Sequence, residues 1–383
     1  MGAAQWTSCP ALILLDLITN TRYGFGDHIV DGNLDLFSFV EASKFANTLV
    51  NDGRGGQEAR FSCNVNIQNS NEAFDLINEL AGVMRCMPIW SAGTITITQD
   101  KPTDASYLFS LANVDEEGFK YSGSSLKTRH SVVSVAYYNM DSQDIDYEVV
   151  EDSALINKIG TVVKQVRAFA CTSRGQANRF GRAILFSENN ESEVVNFNTS
   201  IDSGIIVRPG SVIEINDPVR AGVRRSGRVN AATTTQITVD DSSATDLPTT
   251  NSPTMSIIMP DGTVETKNVI SVSGAVVTLE SALSTTPNVN TVWLIQNTAV
   301  LAQKFRVIDV QENDGINYTI TALSYVDEKY AFIEENISLP DRTVSVLNLP
   351  SDPPNALTVS EKIVEINNQA VACLLYTSPS PRD

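Results

Sequence analysis

The sequence predicts an α+β fold, rich in β-structure and divided into several domains. Three observations carry that prediction. The chain runs to 383 residues, more than twice the roughly 150 residues of a typical domain. Its first third places apolar residues at helical spacing. From about residue 124 the apolar period shifts toward two, the spacing of strands.

Pro10 fits the first turn of a helix, where its missing N–H does no harm. Ala11, Leu14, Leu15 and Ile18 then share one face, and Asn20 can end the helix. A turn-rich stretch follows, Tyr23-Gly24-Phe25-Gly26-Asp27-His28. Asp35 can cap a second helix with Leu36, Phe39, Val40, Ala46 and Leu49 on its apolar side, stopping at Asn51-Asp52-Gly53. Asn69 and Glu72 make a capping pair for a third, whose stripe is Ala73, Leu76, Ile77, Leu80, Ala81 and Met84. Pro88 ends that pattern, and a strand over 94–98 follows a turn at Ala92-Gly93.

Further on, 132–138 and 161–169 read as strands, the first with both faces partly covered. The strongest helix of this part runs from Gly175 to Leu185, aligning Ala177, Phe180, Gly181 and Ile184. Strands resume at 193–197 and 211–215. Residues 229–297 are rich in Thr, Ser, Val and Asn, with short strands at 236–239, 255–259, 276–279 and 292–295 and a turn signal at Asp261-Gly262. They read as a small β module inserted into a larger domain. Residues 305–310 and 318–323 pair around Asp314-Gly315.

Boundaries follow from these shifts. Residues 1–123 form an α+β domain. Residues 124–228 with 298–343 form a β-rich domain holding one helix, interrupted by the module at 229–297. Leu349-Pro350-Ser351-Asp352-Pro353-Pro354 stiffens a linker over 344–355. Residues 356–372 begin a further β-sandwich. The last stretch, 373–383, looks like a translated sequencing-library adapter, so the natural chain is expected to be cut near Ala372.

Composition excludes whole classes of function. With 27 Lys+Arg against 45 Asp+Glu the net charge is −18, which argues against coating nucleic acid or an anionic membrane. No run of 18 or more apolar residues suggests a membrane span. The early run 11–15 is short and lacks a positive leader, so it does not read as a signal peptide. The five cysteines, Cys9, Cys63, Cys86, Cys171 and Cys373, show no CxxC spacing. Zinc ribbon, iron–sulfur and thioredoxin-type readings therefore fail. Only His28 and His130 could supply an imidazole base, and both read as surface or structural histidines.

Several motif fragments invite chemistry, and each has a plainer reading. Gly24-Phe25-Gly26 lacks the third glycine of a dinucleotide loop, and Gly53-Arg54-Gly55-Gly56 lacks the Lys-Ser/Thr of a phosphate loop. Asp27, Asp31-Gly32 and Asp35 fit a calcium loop poorly, because Ile29 takes a ligand position and Ser38 stands where the bidentate glutamate belongs. Arg220, Arg224, Arg225 and Arg228 are the only basic cluster, read as decorating a loop or meeting acids of another subunit. Cys171, just before a helix N-terminus, reads as a small buried hydrophobe, with a thiol of lowered pKa as the sharper alternative. Carboxylate pairs for glycan hydrolysis cannot be judged from spacing. No catalytic, cofactor-binding or metal-ligating residue is assigned, and no cofactor is implied.

A set of unusual strings resembles one family in collinear order. They are Pro10-Ala11 through Asp16-Leu17 with Arg22-Tyr23-Gly24, and Asp52-Gly53-Arg54-Gly55-Gly56 with Glu58 and Arg60. Arg85-Cys86-Met87-Pro88-Ile89-Trp90 and Gln99-Asp100-Lys101-Pro102 follow. The most specific is Cys171-Thr172-Ser173-Arg174-Gly175-Gln176-Ala177 with Arg179 and Gly181. Pro209 to Ile215 and Tyr318 to Tyr330 complete the series. Together they resemble the tip attachment (host specificity) protein J family of lambda-like phage tails, in its central hub region. The resemblance implies a non-enzymatic virion component at the tail tip, made in the host cytoplasm. It implies a homotrimeric hub that joins other tail-tip and tail-tube proteins to receptor-binding parts, with no nucleic-acid binding. It also implies that residues 356–372 start a fibronectin type III-like domain. The region that touches the host receptor lies beyond this chain. A tail-borne glycan hydrolase and a bacterial surface adhesin are the alternative readings.

Overall fold

The computed structural model describes residues 6–29, 31–67, 73–91, 93–125, 129–221, 225–240, 247, 250, 252–297, 302–340, 358–367 and 369–377. Two compact units result, 1–339 and 340–383. Asn69, Glu72, Ala92, Arg224 and the expected linker at 344–355 lie outside the described residues. The α+β, β-rich class is observed: eight helices accompany five open sheets and a closed barrel among the described residues.

The helices are α1 (Pro10–Thr19), α2 (Leu36–Asn47), α3 (Ala73–Val83), α4 (Ser153–Ile159), α5 (Arg174–Asn190), α6 (Ile201–Gly204), α7 (Pro218–Ala221) and α8 (Glu328–Glu334). The first three pack with the hairpin Cys86–Ser91/Thr94–Gln99 around Leu14, Ile18, Phe39, Leu80, Met84 and Ile97. α1 begins at Pro10 and ends at Asn20, whose N–H donates to Asp16 O. Gly24 lies against that end so closely that a Cβ would stand 1.9 Å from Leu17 O.

α2 departs from expectation in two ways. Asp35 caps it, accepting from the Ser38 N–H. Yet the buried face holds Phe39, Ala42 and Ala46, while Leu36, Val40 and Leu49 are exposed. Phe39 and Ala46 of the expected face are buried, but Ala42 completes the contact where Leu36, Val40 and Leu49 were expected. The helix also stops at Asn47, not at Asn51-Asp52-Gly53. Leu49–Asn51 is instead a strand paired with Gln57–Ala59, and Gly53 (φ +79°) and Gly55 (φ +92°) close the turn between them.

A six-stranded sheet forms the middle of the chain. Its order is Tyr107–Ser110, Val212–Asn216, Gln303–Glu312, Asn317–Ser324, Glu193–Ser200 and Lys120–Gly123. Its two edges come from the first 123 residues of the chain. Phe109 and Phe197 meet in its core at a centroid distance of 4.8 Å. A three-stranded sheet sets Val132–Asn139 between Asp144–Glu151 and Val163–Arg167, and α5 covers it. A Cβ on Gly181 would lie 2.8 Å from a Val150 methyl carbon, so only glycine lets α5 approach that sheet so closely.

The closed barrel joins Ser226–Ala232, Gln236–Val239, Val276–Leu279, Val264–Ser273, Thr254–Ile258 and Val292–Gln296. Val264–Ser273 and Ser226–Ala232 are strands that the sequence reading did not find. The chain leaves the central sheet after Asn216 and returns at Gln303, and those two strands are hydrogen-bonded neighbours, with Val212 opposite Arg306. The barrel therefore hangs between two paired strands.

The second unit contains a hairpin, Thr358–Ile366 against Gln369–Thr377, which runs in register into the stretch after Ala372. A hairpin of two strands is marginal by itself in water.

Candidate functional site

Several of the strings that carry the family resemblance meet at two largely buried polar junctions. The first forms where α5 meets the Leu49–Asn51/Gln57–Ala59 hairpin. Arg179, 3% exposed, donates to Glu58 Oε1 at 2.7 Å and to the carbonyls of Asn51 and Arg60 at 3.2 and 3.1 Å. Ser173 caps α5, accepting from the Gln176 N–H at 3.3 Å, and its hydroxyl donates to Glu58. Gln176 accepts from the Ser62 N–H and hydroxyl at 3.0 and 2.8 Å, and donates to Ser62 O at 3.0 Å. Asp52 accepts from the N–H groups of Arg54 and Gly56, which holds its own turn closed. Gly175 sits where a Cβ would lie 2.7 Å from Asp52 O. Arg60 then carries the junction to α8 through Nε and Nη2 on the Glu334 carboxylate, at 2.6 and 3.0 Å.

The second junction centres on Asp100. Its carboxylate accepts from Lys329 Nζ at 2.8 Å and the Tyr330 hydroxyl at 2.7 Å, with Arg306 Nη2 at 3.2 Å. Lys329 also donates to Glu191 at 2.7 Å. Arg306 reaches the carbonyls of Gln99 and Lys101 at 3.1 and 3.2 Å. Burial alone would raise the Asp100 pKa, but the Lys329 and Arg306 cations outweigh it and hold the carboxyl below its ordinary value. Burial and the Asp100 charge push the Tyr330 phenol far above its usual range. A third tie fixes the start of α5: Arg174 and Asn178 both donate to the buried Glu148, at 2.7 and 3.1 Å.

Chemically these groups are committed to one another. Asp100, half-buried, and the buried Glu191 are bridged by Lys329, and Arg306 supplies the second cation at Asp100. Cys171 is buried, its thiol donates to Ser173 O at 3.3 Å, and burial pushes its pKa up to about 12. The sharper alternative, a thiol of lowered pKa, is therefore corrected: burial outweighs the helix N-terminus. His28 is exposed. His130 lies 2.9 Å from Glu188, which also takes Lys164 at 2.5 Å. Arg220 meets Glu193 at 2.9 Å and lies over the Tyr121 ring, and Arg228 donates to Asn290 O at 2.7 Å. Arg220 and Arg228 of the basic cluster thus make contacts within the chain. Among the described residues no group of three or more His, Cys, Asp or Glu side chains could hold a metal ion.

Sequence reasoning quoted Glu58, Arg60, Asp100 and Arg179 without foreseeing their bonds. It missed Glu148, Glu191 and Glu334, and gave Lys329 no role. Asn178 and Arg179 stand between Ala177 and Phe180 within the unbroken α5 and are buried there, where a polar side chain must find partners.

A family profile described as a putative phage tail protein matches residues 72–231. Tip attachment protein J of Escherichia phage SECphi27 is 31% identical over 372 residues, covering 94% of this chain and 30% of that protein. Its namesake in Escherichia phage SECphi4 is 27% identical over 386 residues, covering 99% of this chain and 33% of that protein. A chain in the virion of a native gene transfer agent particle is similar at a TM-score of 0.40 and 11% identity, covering 86% of this chain and 59% of that one. The chain spans about a third of the length of the curated relatives it matches. The resemblance read from the strings is borne out in these relatives, and they support the expectation of a phage tail component.

Proposed function

We propose that this chain, a relative of tip attachment proteins along nearly its whole length, is a scaffold segment of a phage tail tip. It works through contacts between subunits and not through chemistry. The carrying observation is the match to two tip attachment proteins over 94% and 99% of the chain. The junctions support it, since the polar residues within the resemblance strings serve as internal ties.

The same reading takes the hub as a homotrimer that meets other tail-tip and tail-tube proteins. In support, the outer face of the three-stranded sheet exposes Tyr138, Ile145, Tyr147, Val149 and Val163. An apolar row of this kind is what subunit contacts bury. Residues 229–297 are read as a module inserted in the hub, and 356–372 as the start of a fibronectin type III-like domain. Host attachment belongs to the part of the full-length protein that lies outside this chain.

Immunogold labelling of purified particles with antibody to residues 1–339 tests the reading. Label at the distal end of the tail is expected, and particles free of label would refute it. Light scattering of the full-length protein is expected to give three copies, and a strict monomer at assembly concentrations would remove the trimer.

A further inference from the structure

A partly open cavity of about 250 Å³ lies among α3, α5 and α8, beside the Arg60–Glu334 tie. Its wall is largely apolar, with Phe61, Val83, Phe169, Phe180 and Ile333. Arg85 also lines it, at a turn after α3 where its φ is +52°. The Nε and Nη1 atoms of Arg85 are fully buried and have no hydrogen-bond partner. Its guanidinium lies 5.2 Å from the Phe61 ring centroid, a contact that leaves its N–H groups unused.

The nearby carboxylates Asp100 and Glu334 act on Arg85 only through space, without a hydrogen bond to it, and the charges around the cavity are engaged elsewhere. Arg60 engages Glu334, and Arg179 engages Glu58. Asp100 is committed to Lys329, Arg306 and Tyr330. Glu79 and Arg167 line the cavity as one exposed acid and one exposed cation. The Arg85 guanidinium is thus left without a hydrogen-bonded counter-ion in a largely apolar wall. Leaving a buried charged donor unpaired is costly, and burial draws the Arg85 pKa below its ordinary value.

We propose that this cavity binds a small carboxylic acid, in its ionised form, that carries an apolar body. The carboxylate accepts from the unused N–H groups of Arg85, and the body lies against Phe61, Val83, Phe169, Phe180 and Ile333. A cavity of about 150 Å³ holds benzene, so the space here admits an acid of the size of octanoate. One guanidinium balances the charge of one carboxylate, whereas a phosphate dianion would bring a second negative charge unpaired into an apolar wall.

Calorimetric titration of the intact chain with octanoate, 1-octanol and octylamine at neutral pH tests the site. Octanoate is expected to saturate at a Kd below about 1 mM. It should bind about tenfold or more tightly than 1-octanol, the advantage of a hydrogen bond to a charged group, and octylamine should bind weakest. Arg85→Met is expected to abolish the preference for octanoate over 1-octanol. If that variant does not fold, the ratio on the unmodified chain decides alone. Equal affinity for acid and alcohol, or no saturable binding of octanoate, would overturn the proposal. So would a preference that survives in a folded Arg85→Met chain.

Discussion

The α5 region and the barrel solve the same problem by opposite means. Around α5, segments more than 100 residues apart are held by polar and charged groups largely withdrawn from water: Arg179 on Glu58, Gln176 with Ser62, Arg60 on Glu334. The barrel is filled by Met255, Ile257, Val277, Trp293 and Ile295, and its backbone groups are satisfied strand to strand. Trp293 still finds a partner for its indole N–H, the Arg228 carbonyl at 3.1 Å. The difference is instructive for stability. A buried ion pair contributes little net stability, yet removing one member is severe because the other is stranded. An apolar core instead loses stability in proportion to the volume removed.

Arg179→Met breaks the comparison most sharply. It strands Glu58 and two carbonyls, so a loss of about 3–5 kcal/mol is expected in urea denaturation. The double variant Glu58→Leu/Arg179→Met should recover a large part of that loss. Additive losses would show that the pair is not coupled. Met255→Ala in the barrel should cost roughly 2–5 kcal/mol, with no second-site replacement by a charge able to restore it.

Next comes pH. Asp100 has its folded pKa held low, so the stability it supplies is present above the unfolded carboxylate value near 3.9. That stability is lost as pH falls through the folded value. Asp100→Asn should therefore flatten the fall in stability between pH 5 and pH 2, read by urea midpoints along that range. An unchanged acid limb would contradict the role given to Asp100. Ser173→Ala, which removes the α5 cap and a donor to Glu58, should cost about 1 kcal/mol. Smallest is Arg220→Ala: its ion pair with Glu193 is about one-third exposed on each side, and the loss should stay below about 1 kcal/mol.

What the sequence made legible follows the same divide. Periodicity located α1, α3 and α5, because their buried faces repeat at helical spacing: Leu14 and Ile18, Leu76 and Leu80, Ala177 and Gly181. The turns at Asp261-Gly262 and Asp314-Gly315 were legible because glycine at positive φ is required there, +82° and +78°. α2 was half legible: Phe39 and Ala46 are buried as expected, but Ala42 takes the place given to the larger Leu36, Val40 and Leu49. The polar junctions were visible only as strings shared with a family. Local spacing does not reveal that Asp100 will meet Lys329, 229 positions later, since nothing in either neighbourhood demands the other.

The tie between Arg179 and Glu58 is expected to hold the scaffold together. Tail-tip occupancy in particles of the encoding phage, measured by quantitative mass spectrometry for the parent, Arg179→Met and Glu58→Leu/Arg179→Met chains, tests it most directly. Occupancy should fall with the single substitution and recover with the pair. Full occupancy in the single variant, with infectivity lost and not restored by the pair, would contradict the account.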